Sequence, residues 1–479
     1  MKTQSLDSKE ISKLPGLFDI KDEAFDSKTV PQKIEYLKTI PKPRLFSTCF
    51  MGHVDAGKST TVGRLLYDTG TIDPRIIEQY QREAIANKRD SFSFAYVMDK
   101  SKDERERGIT IECGLGEFVT PNGRYMTIVD APGHGDFVKN MVVGTNQADL
   151  ACLLVDAKTG LVKEDITDQH LSIARASGIK SIIVLLNKLN LVPLAQRMKI
   201  YHERVKEIDT LLNRCFFKDP ARKIFIPVNS FGGWNIADKS FNDTEFPGYE
   251  GPSFLEALDQ IPIDESVFQT DAPLRMSLEN VHTKIAGTKV VGIGKLISGT
   301  IVPGMELILK PANKICKVGG IEMHHKKCKY VSTGGSVALS LLNVTKDDFS
   351  KGSILSVPHV KDTATNVEQF TMEKCYIRAH PTELSVGSQL IAHFHSGNKS
   401  CEVLKIQKWN SPTQTQEVKS IKPGNFARIT LKPQHSIVVD PLSIHTKTSK
   451  VLLRDCKDTI GYGSITAVKL DRDQIIAKK

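Results

Sequence analysis

Eight consecutive residues, Gly52-His53-Val54-Asp55-Ala56-Gly57-Lys58-Ser59, restrict what this chain can fold into more than any other stretch. An apolar-leaning segment, Leu45-Phe46-Ser47-Thr48-Cys49-Phe50, leads in, and a helical pattern from Thr60 to Tyr67 leads out. Strand, tight loop and helix in that order, with the spacing G-x-x-x-x-G-K-S, make a phosphate cradle. The glycines let the backbone turn its N–H groups toward phosphate oxygens, and the helix start adds its positive dipole end. His53, Val54, Asp55, Ala56, Gly57, Lys58, Ser59 and Thr60 are the residues expected to hold the phosphates. Lys58 should reach the terminal phosphates and the Ser59 hydroxyl should ligate Mg²⁺.

Three further pieces follow at workable distances. Asp99 to Thr110 ends in Arg105-Glu106-Arg107-Gly108-Ile109-Thr110. A charged segment closing on a threonine suits a switch loop in which Thr110 senses the γ-phosphate and Mg²⁺; the plain alternative is a solvated charge run. Next, the strand Thr127-Ile128-Val129 delivers Asp130 to the metal side, and Ala131-Pro132-Gly133-His134 follows. Gly133 can offer its N–H to the γ-phosphate, with His134 beside the attacking water. Finally, Asn187-Lys188-Leu189-Asn190 follows the apolar strand Ile182 to Leu186, where a base-reading loop belongs.

At these residues the chain resembles the translational GTPases, and within them the elongation factor 1-alpha group. GHVDAGKSTT, DERERGITIE, DAPGHGDFVKNM and IEMHHKK look like that group's signatures, in order from about Leu45 to the C-terminal end. The resemblance implies a doubly wound α/β P-loop GTPase domain followed by two all-β barrels. It implies GTP/GDP and Mg²⁺ as cofactors and His134, Lys58, Thr110 and Gly133 as the catalytic group. Lys58 would stabilise β/γ charge, Ser59 and Thr110 would ligate Mg²⁺ directly, and Asp130 would hold it through water. Asn187, Lys188 and Asn190, with Asn229, Ser230 and Phe231, occupy the base-reading positions. The partners implied are the ribosome, aminoacyl-tRNA and a guanine-nucleotide exchange factor, the protein itself being a monomer.

A chain of 479 residues suggests about three domains. A proline- and acid-containing stretch, Ile261-Pro262-Ile263-Asp264-Glu265 through Ala272-Pro273, separates α/β-patterned sequence from short strands with glycine turns. The expected division is an extension over 1–44, a GTP-binding domain over 45–262, and barrels over 263–361 and 362–479. Residues 1–44 are polar and mixed in charge and read as a short extension partly ordered around Ile34-Glu35-Tyr36-Leu37, either a tail without a role or a segment that meets a partner, with the tail ahead. A formal net charge of +10 favours an anionic partner. The nine cysteines show no paired metal spacing and read as reduced thiols. No apolar run approaches the ~20 residues that span a bilayer, so no membrane is expected and the location is cytoplasmic.

Departures from the family pattern carry as much weight as the matches. The base-reading loop normally ends in aspartate, which accepts from guanine N1–H and the exocyclic amine; Asn190 offers one acceptor and one donor. An unpaired group of that kind costs roughly 1–3 kcal/mol, and Asn190 suits the C2 carbonyl of xanthine instead. At the second base loop the family has serine then alanine or glycine, where this chain has Asn229 and Ser230. There Asn229 is expected to supply a polar contact and Ser230 a backbone N–H to guanine O6. His134 is followed by Gly135, where elongation factors usually carry arginine, although Asp136, Lys139, Asn140 and Met141 match. In the first barrel Ile297 stands where the family places a glutamate near the terminal adenosine of tRNA, which puts aminoacyl-end binding in doubt. The pair His324-His325 reads as strand packing or nucleic-acid contact before it reads as a metal site.

The sequence therefore predicts an elongation factor 1-alpha-like, Mg²⁺-dependent GTPase delivering aminoacyl-tRNA to the ribosome. Two alternatives stay open: a ribosome-rescue or termination relative with a protein cargo, and a recruited paralogue with a structural role and little turnover.

Overall fold

The computed structural model describes residues 20, 23–40, 45–99, 101–107, 110, 113–134, 137–161, 164–240, 242–264, 272–283, 290–323, 326–378, 383–411, 414–455 and 458–471. The chain divides into two compact units, one over Leu45–Glu265 and one over Ser266–Lys479 that also takes in the described part of the extension.

In the first unit, β1 (Leu45–Gly52), β2 (Gly114–Val119), β3 (Tyr125–Asp130), β4 (Leu150–Asp156), β5 (Ser181–Asn187) and β6 (Lys223–Pro227) form one sheet. Its order is β2-β3-β1-β4-β5-β6, with β2 antiparallel and the other neighbours parallel. Parallel strands are covered on both faces, so their sequences are near-continuous apolar runs rather than alternating ones. Every residue of β1 and β5 is buried accordingly. The strand expected from Ile182 begins one residue earlier, at Ser181. β2 carries glycines at 114 and 116 and has no strand signature; its pairing with β3 makes it a strand. A long helix begins at Leu194, immediately after Pro193, and runs to Arg214.

The second unit contains two closed sheets. In the first, Glu306–Lys310, Ile354–Ser356, Arg275–Thr283, Val290–Ser298, Ser336–Leu342 and Lys314–Met323 pair in that order, and the last returns to the first. In the second, Gln389–Phe394, Lys450–Arg454, Thr459–Leu470, Asn366–Ile377, Phe426–Pro433 and Gly397–Ser411 do the same. Closure removes the free edges that open sheets expose. Inward alternation fills the second barrel with Phe370, Met372, Val403, Ile429 and Val451. The barrels are joined by buried polar contacts. Arg275 donates to both Asp440 oxygens, from Nε at 2.9 Å and from Nη2 at 2.8 Å. Ser277 Oγ lies 3.2 Å from His395 Nδ1, whose Nε2 bonds the Val438 carbonyl at 2.8 Å.

The order expected around Ile34–Leu37 in the extension runs further in both directions. Val30–Thr39 is a helix, opened by Thr29, whose N–H donates to Gln32 Oε1 at 2.9 Å. Phe25 and Leu37 are each 1 % exposed, and Lys329 pairs with Asp26 at 3.1 Å. Two buried apolar residues and an ion pair fix this stretch, too sparse a pattern to register as a helix face in sequence. It is not a tail over these residues.

Candidate active site

The site is assembled at the carboxyl ends of β1, β3, β5 and β6, where open α/β sheets bind ligands. Gly57 has φ of 96°, and its Cβ would meet Asn187 Nδ2 at 2.3 Å, so both conformation and space require glycine. The helix Lys58–Asp68 starts directly after it. Lys58 is 6 % exposed and donates to the carbonyls of Gly52 at 3.2 Å and His53 at 3.0 Å. Burial lowers its pKa, opposed by Asp130, Asp55 and Asp99. A cavity of about 440 Å³ opens over this loop. Among its lining are Val54, Asp55, Gly57, Lys58, Ser59, Thr60, Thr110, Gly133, His134, Asn187, Lys188, Asn190, Asn229, Ser230 and Phe231. Two expected phosphate residues do not line it. The His53 carbonyl holds Lys58, and the Ala56 carbonyl accepts from Asn187 Nδ2 at 2.9 Å. Both carbonyls shape the loop from behind.

On the metal side, Ser59 Oγ and Thr110 Oγ1 lie 3.1 Å apart, although 51 positions separate them in sequence. Asp130 stands fully buried beside them, and among the described residues neither of its oxygens completes a hydrogen bond. Burial raises its pKa to about 6, against the lowering effect of the nearby Ser59 hydroxyl and Lys58. Asp99, reached by Thr110 Oγ1 at 3.0 Å, is raised to about 7, first by burial and then by Asp130. Two hydroxyls with two buried carboxylates form an all-oxygen set, and a buried carboxylate without a hydrogen-bond partner among the described residues calls for a cation. The residues fit Mg²⁺. Asp99 escaped the sequence reading because it begins the charged run and only folding brings it back to Thr110.

At the base end, Asn187 bridges the loops: Nδ2 holds Ala56 O, and Oδ1 accepts the Ser230 N–H at 3.0 Å. This corrects the role expected for Ser230, whose N–H is already engaged and is not offered to guanine O6. The Ser230 hydroxyl bonds Thr61 Oγ1 at 2.6 Å, so a hydroxyl at a position meant for alanine or glycine finds a buried partner. Asn229 Oδ1 accepts from Gly232 N–H at 3.1 Å and closes the turn. Lys188, at φ of 65°, pairs with Asp156 at 3.1 Å. Ser91, Phe92 and Ala95 from the segment after the helix Pro74–Ala86 also line the cavity, a contribution with no signal in sequence. His134 is exposed, its ring 5.9 Å from that of Phe137. A Cβ at Gly133 would lie 2.9 Å from the Gly52 carbonyl oxygen, which the backbone holds in place, as well as 2.4 Å from Lys58 Nζ, so the space favours glycine there.

The sequence profile of the elongation factor Tu GTP binding domain matches residues 43–264. Elongation factor Tu domain 2 matches 289–356, and the GTP-eEF1A C-terminal domain-like profile matches 369–466. Elongation factor 1-alpha of Methanocaldococcus jannaschii is 36 % identical over 435 residues, covering 89 % of this chain and 98 % of that protein. The chain belongs to the elongation factor 1-alpha-like translational GTPases. Elongation factor 1-alpha of Pyrococcus abyssi is likewise 36 % identical, over 88 % of this chain and 97 % of its own length. In fold, the translational GTPase resembles the Ski7 GTPase-like domain of S. cerevisiae bound to GTP. The TM-score is 0.72 at 18 % identity, over 90 % of this chain and 99 % of that one.

This translational GTPase carries its departures where the sequence located them. Ile297 lies on the barrel strand Val290–Ser298 and is 6 % exposed, an apolar core residue. The Asn190 side chain makes no protein hydrogen bond among the described residues, while its carbonyl takes a 3.5 Å contact from Arg197 Nη2. Gly135, Asp136, His324 and His325 lie outside the described residues, as do Gly108 and Ile109 of the switch segment. The eight described cysteines are all free, and no described helix is long and apolar enough to cross a membrane.

Proposed function

We propose that this protein is a cytoplasmic, Mg²⁺-dependent GTPase that delivers aminoacyl-tRNA to the ribosome, working as a monomer on three domains, 45–262, 263–361 and 362–479. The observation that carries the metal and phosphate part is the 3.1 Å approach of Ser59 and Thr110 beside the Asp130 carboxylate, which has no hydrogen-bond partner among the described residues. Bound Mg²⁺ would neutralise charge on the β- and γ-phosphates. Lys58 exchanges its bonds to the Gly52 and His53 carbonyls for phosphate oxygens. Gly133 offers its N–H to the γ-phosphate, and exposed His134 orients the attacking water once the ribosome fixes its ring. Loss of the γ-phosphate frees Thr110 and with it the switch segment. A guanine-nucleotide exchange factor then resets the cycle.

Ile297 favours a second reading, in which the cargo is a protein of the release-factor kind. An apolar core residue accepts no hydrogen bond from a terminal adenosine. Filter binding of aminoacyl-tRNA to the GTP-loaded protein, with ribosome-stimulated hydrolysis in parallel, tests both. Retention of tRNA only with GTP supports delivery. Stimulated hydrolysis without tRNA retention moves the cargo to protein. No hydrolysis on ribosomes contradicts both and leaves a structural paralogue.

A further inference from the structure

One side chain of the helix Pro74–Ala86, outside the nucleotide cavity, reaches the segment that ends in Thr110. Glu83 Oε1 accepts from Arg105 Nε at 2.8 Å, and the same guanidinium donates through Nη1 to the Asp99 carbonyl at 3.1 Å. The Asp99 carboxylate accepts from Thr110 Oγ1 at 3.0 Å, and Thr110 faces Ser59 at 3.1 Å. The contacts run without a break from the helix to the two metal-site hydroxyls.

Both ends of this path are supported. Asp73 caps the helix by accepting from Arg75 N–H at 2.9 Å, Ile77 and Ala84 are buried, and the Tyr80 ring packs 6.2 Å from that of Tyr96. On the other side, the Ser101 N–H and hydroxyl donate to Glu104 at 3.1 and 2.8 Å, and Ser101 Oγ accepts the Glu104 N–H at 3.1 Å. Arg105 therefore projects from one fixed turn toward another.

We propose that Glu83 is a positioning residue for the triphosphate state: it holds Arg105, which holds the Asp99 backbone, so that the Asp99 carboxylate presents Thr110 to the metal and γ-phosphate. The proposal rests on the reading of Thr110 given above. A contact made only with the triphosphate shifts the preference between nucleotides rather than binding as a whole. The side chains of Arg105 and Glu83 are 20 % and 35 % exposed, so solvent screens the pair and the effect is modest and salt-dependent.

The test is a titration of the full chain with fluorescent GDP and a non-hydrolysable GTP analogue at fixed Mg²⁺, for wild type, Glu83→Ala, Thr110→Ala and the double variant. Melting curves confirm that each is folded. Glu83→Ala is expected to weaken the triphosphate about two- to fivefold with GDP unchanged. The double variant is expected to be no weaker than Thr110→Ala, because both changes cut one path. Equal losses for both nucleotides, or full additivity, overturn the proposal. A normal Thr110→Ala response with a flat Glu83→Ala response overturns the path alone. A flat Thr110→Ala response overturns the reading of Thr110 and the path with it.

Discussion

Asn187 Oδ1 accepts the Ser230 N–H at 3.0 Å, and this single bond ties the end of β5 to the loop after β6. The other half of the same amide holds the Ala56 carbonyl of the phosphate loop at 2.9 Å, so one side chain registers three segments around the nucleotide.

Asn187→Asp keeps the acceptor and removes the donor. The Ala56 carbonyl then faces a carboxylate with no proton between them, at a cost of roughly 1–3 kcal/mol. Nucleotide affinity is expected to fall about ten- to a hundredfold by equilibrium titration. Unchanged affinity would mean that the loop does not depend on this bridge.

Asn190 is the residue proposed to set base identity. Its amide presents a donor where guanine also presents one, and its side chain has no protein partner among the described residues to turn it. Asn190→Asp is expected to raise the preference for GTP over XTP by tens- to about a thousandfold. If competition titration gives the same ratio for both proteins, the base is read elsewhere.

Much of this was legible before folding. The phosphate loop, Asp130, Gly133 and the Asn187 loop are local patterns, each within a few residues of a strand end. Asp99 and the Thr61–Ser230 hydroxyl pair were not, because 11 and 169 positions separate the groups that meet. The role of the Ser230 N–H was misread for a related reason. Residue type gave the donor, but only the fold gave Asn187 as its acceptor. The order around Ile34–Leu37 is readable in sequence, but the full extent of the helix Val30–Thr39 is not, because it buries so few apolar residues, among them Leu37. β2 was hidden because its pairing with β3 makes it a strand, not its composition.

Asp440 neutralises Arg275 where both are buried, with side chains 6 % and 1 % exposed. Burial alone would raise the Asp440 pKa; the Arg275 hydrogen bonds and charge outweigh it and hold the carboxylate low. Asp440→Ala leaves an uncompensated buried guanidinium and is expected to destabilise the second unit by about 3–5 kcal/mol in denaturant unfolding. Replacing both with apolar residues, Arg275→Met with Asp440→Leu, is expected to cost less than Asp440→Ala. The reverse order would show that the pair contributes net stability.

His395 gives the second unit a pH dependence. Burial lowers its pKa from 6.5 to about 4, with the Val438 carbonyl and Asp440 opposing. Because the folded value lies below the unfolded one, the contribution is fully present above pH 6.5 and is lost as pH falls toward 4. The loss is on the order of 3 kcal/mol at most. Unfolding of His395→Gln followed between pH 7 and 4 is expected to give a flatter profile than wild type. Parallel profiles would exclude His395 as the source.

A working metal and phosphate site beside a relaxed base site gives a distinct binding pattern. Equilibrium titration of the purified protein with fluorescent GTP, GDP, XTP and ATP, with and without Mg²⁺, tests it most directly. Triphosphate binding is expected to require Mg²⁺, to reject ATP, and to separate GTP from XTP by less than about tenfold. Triphosphate binding that is indifferent to Mg²⁺, or absent, would contradict it.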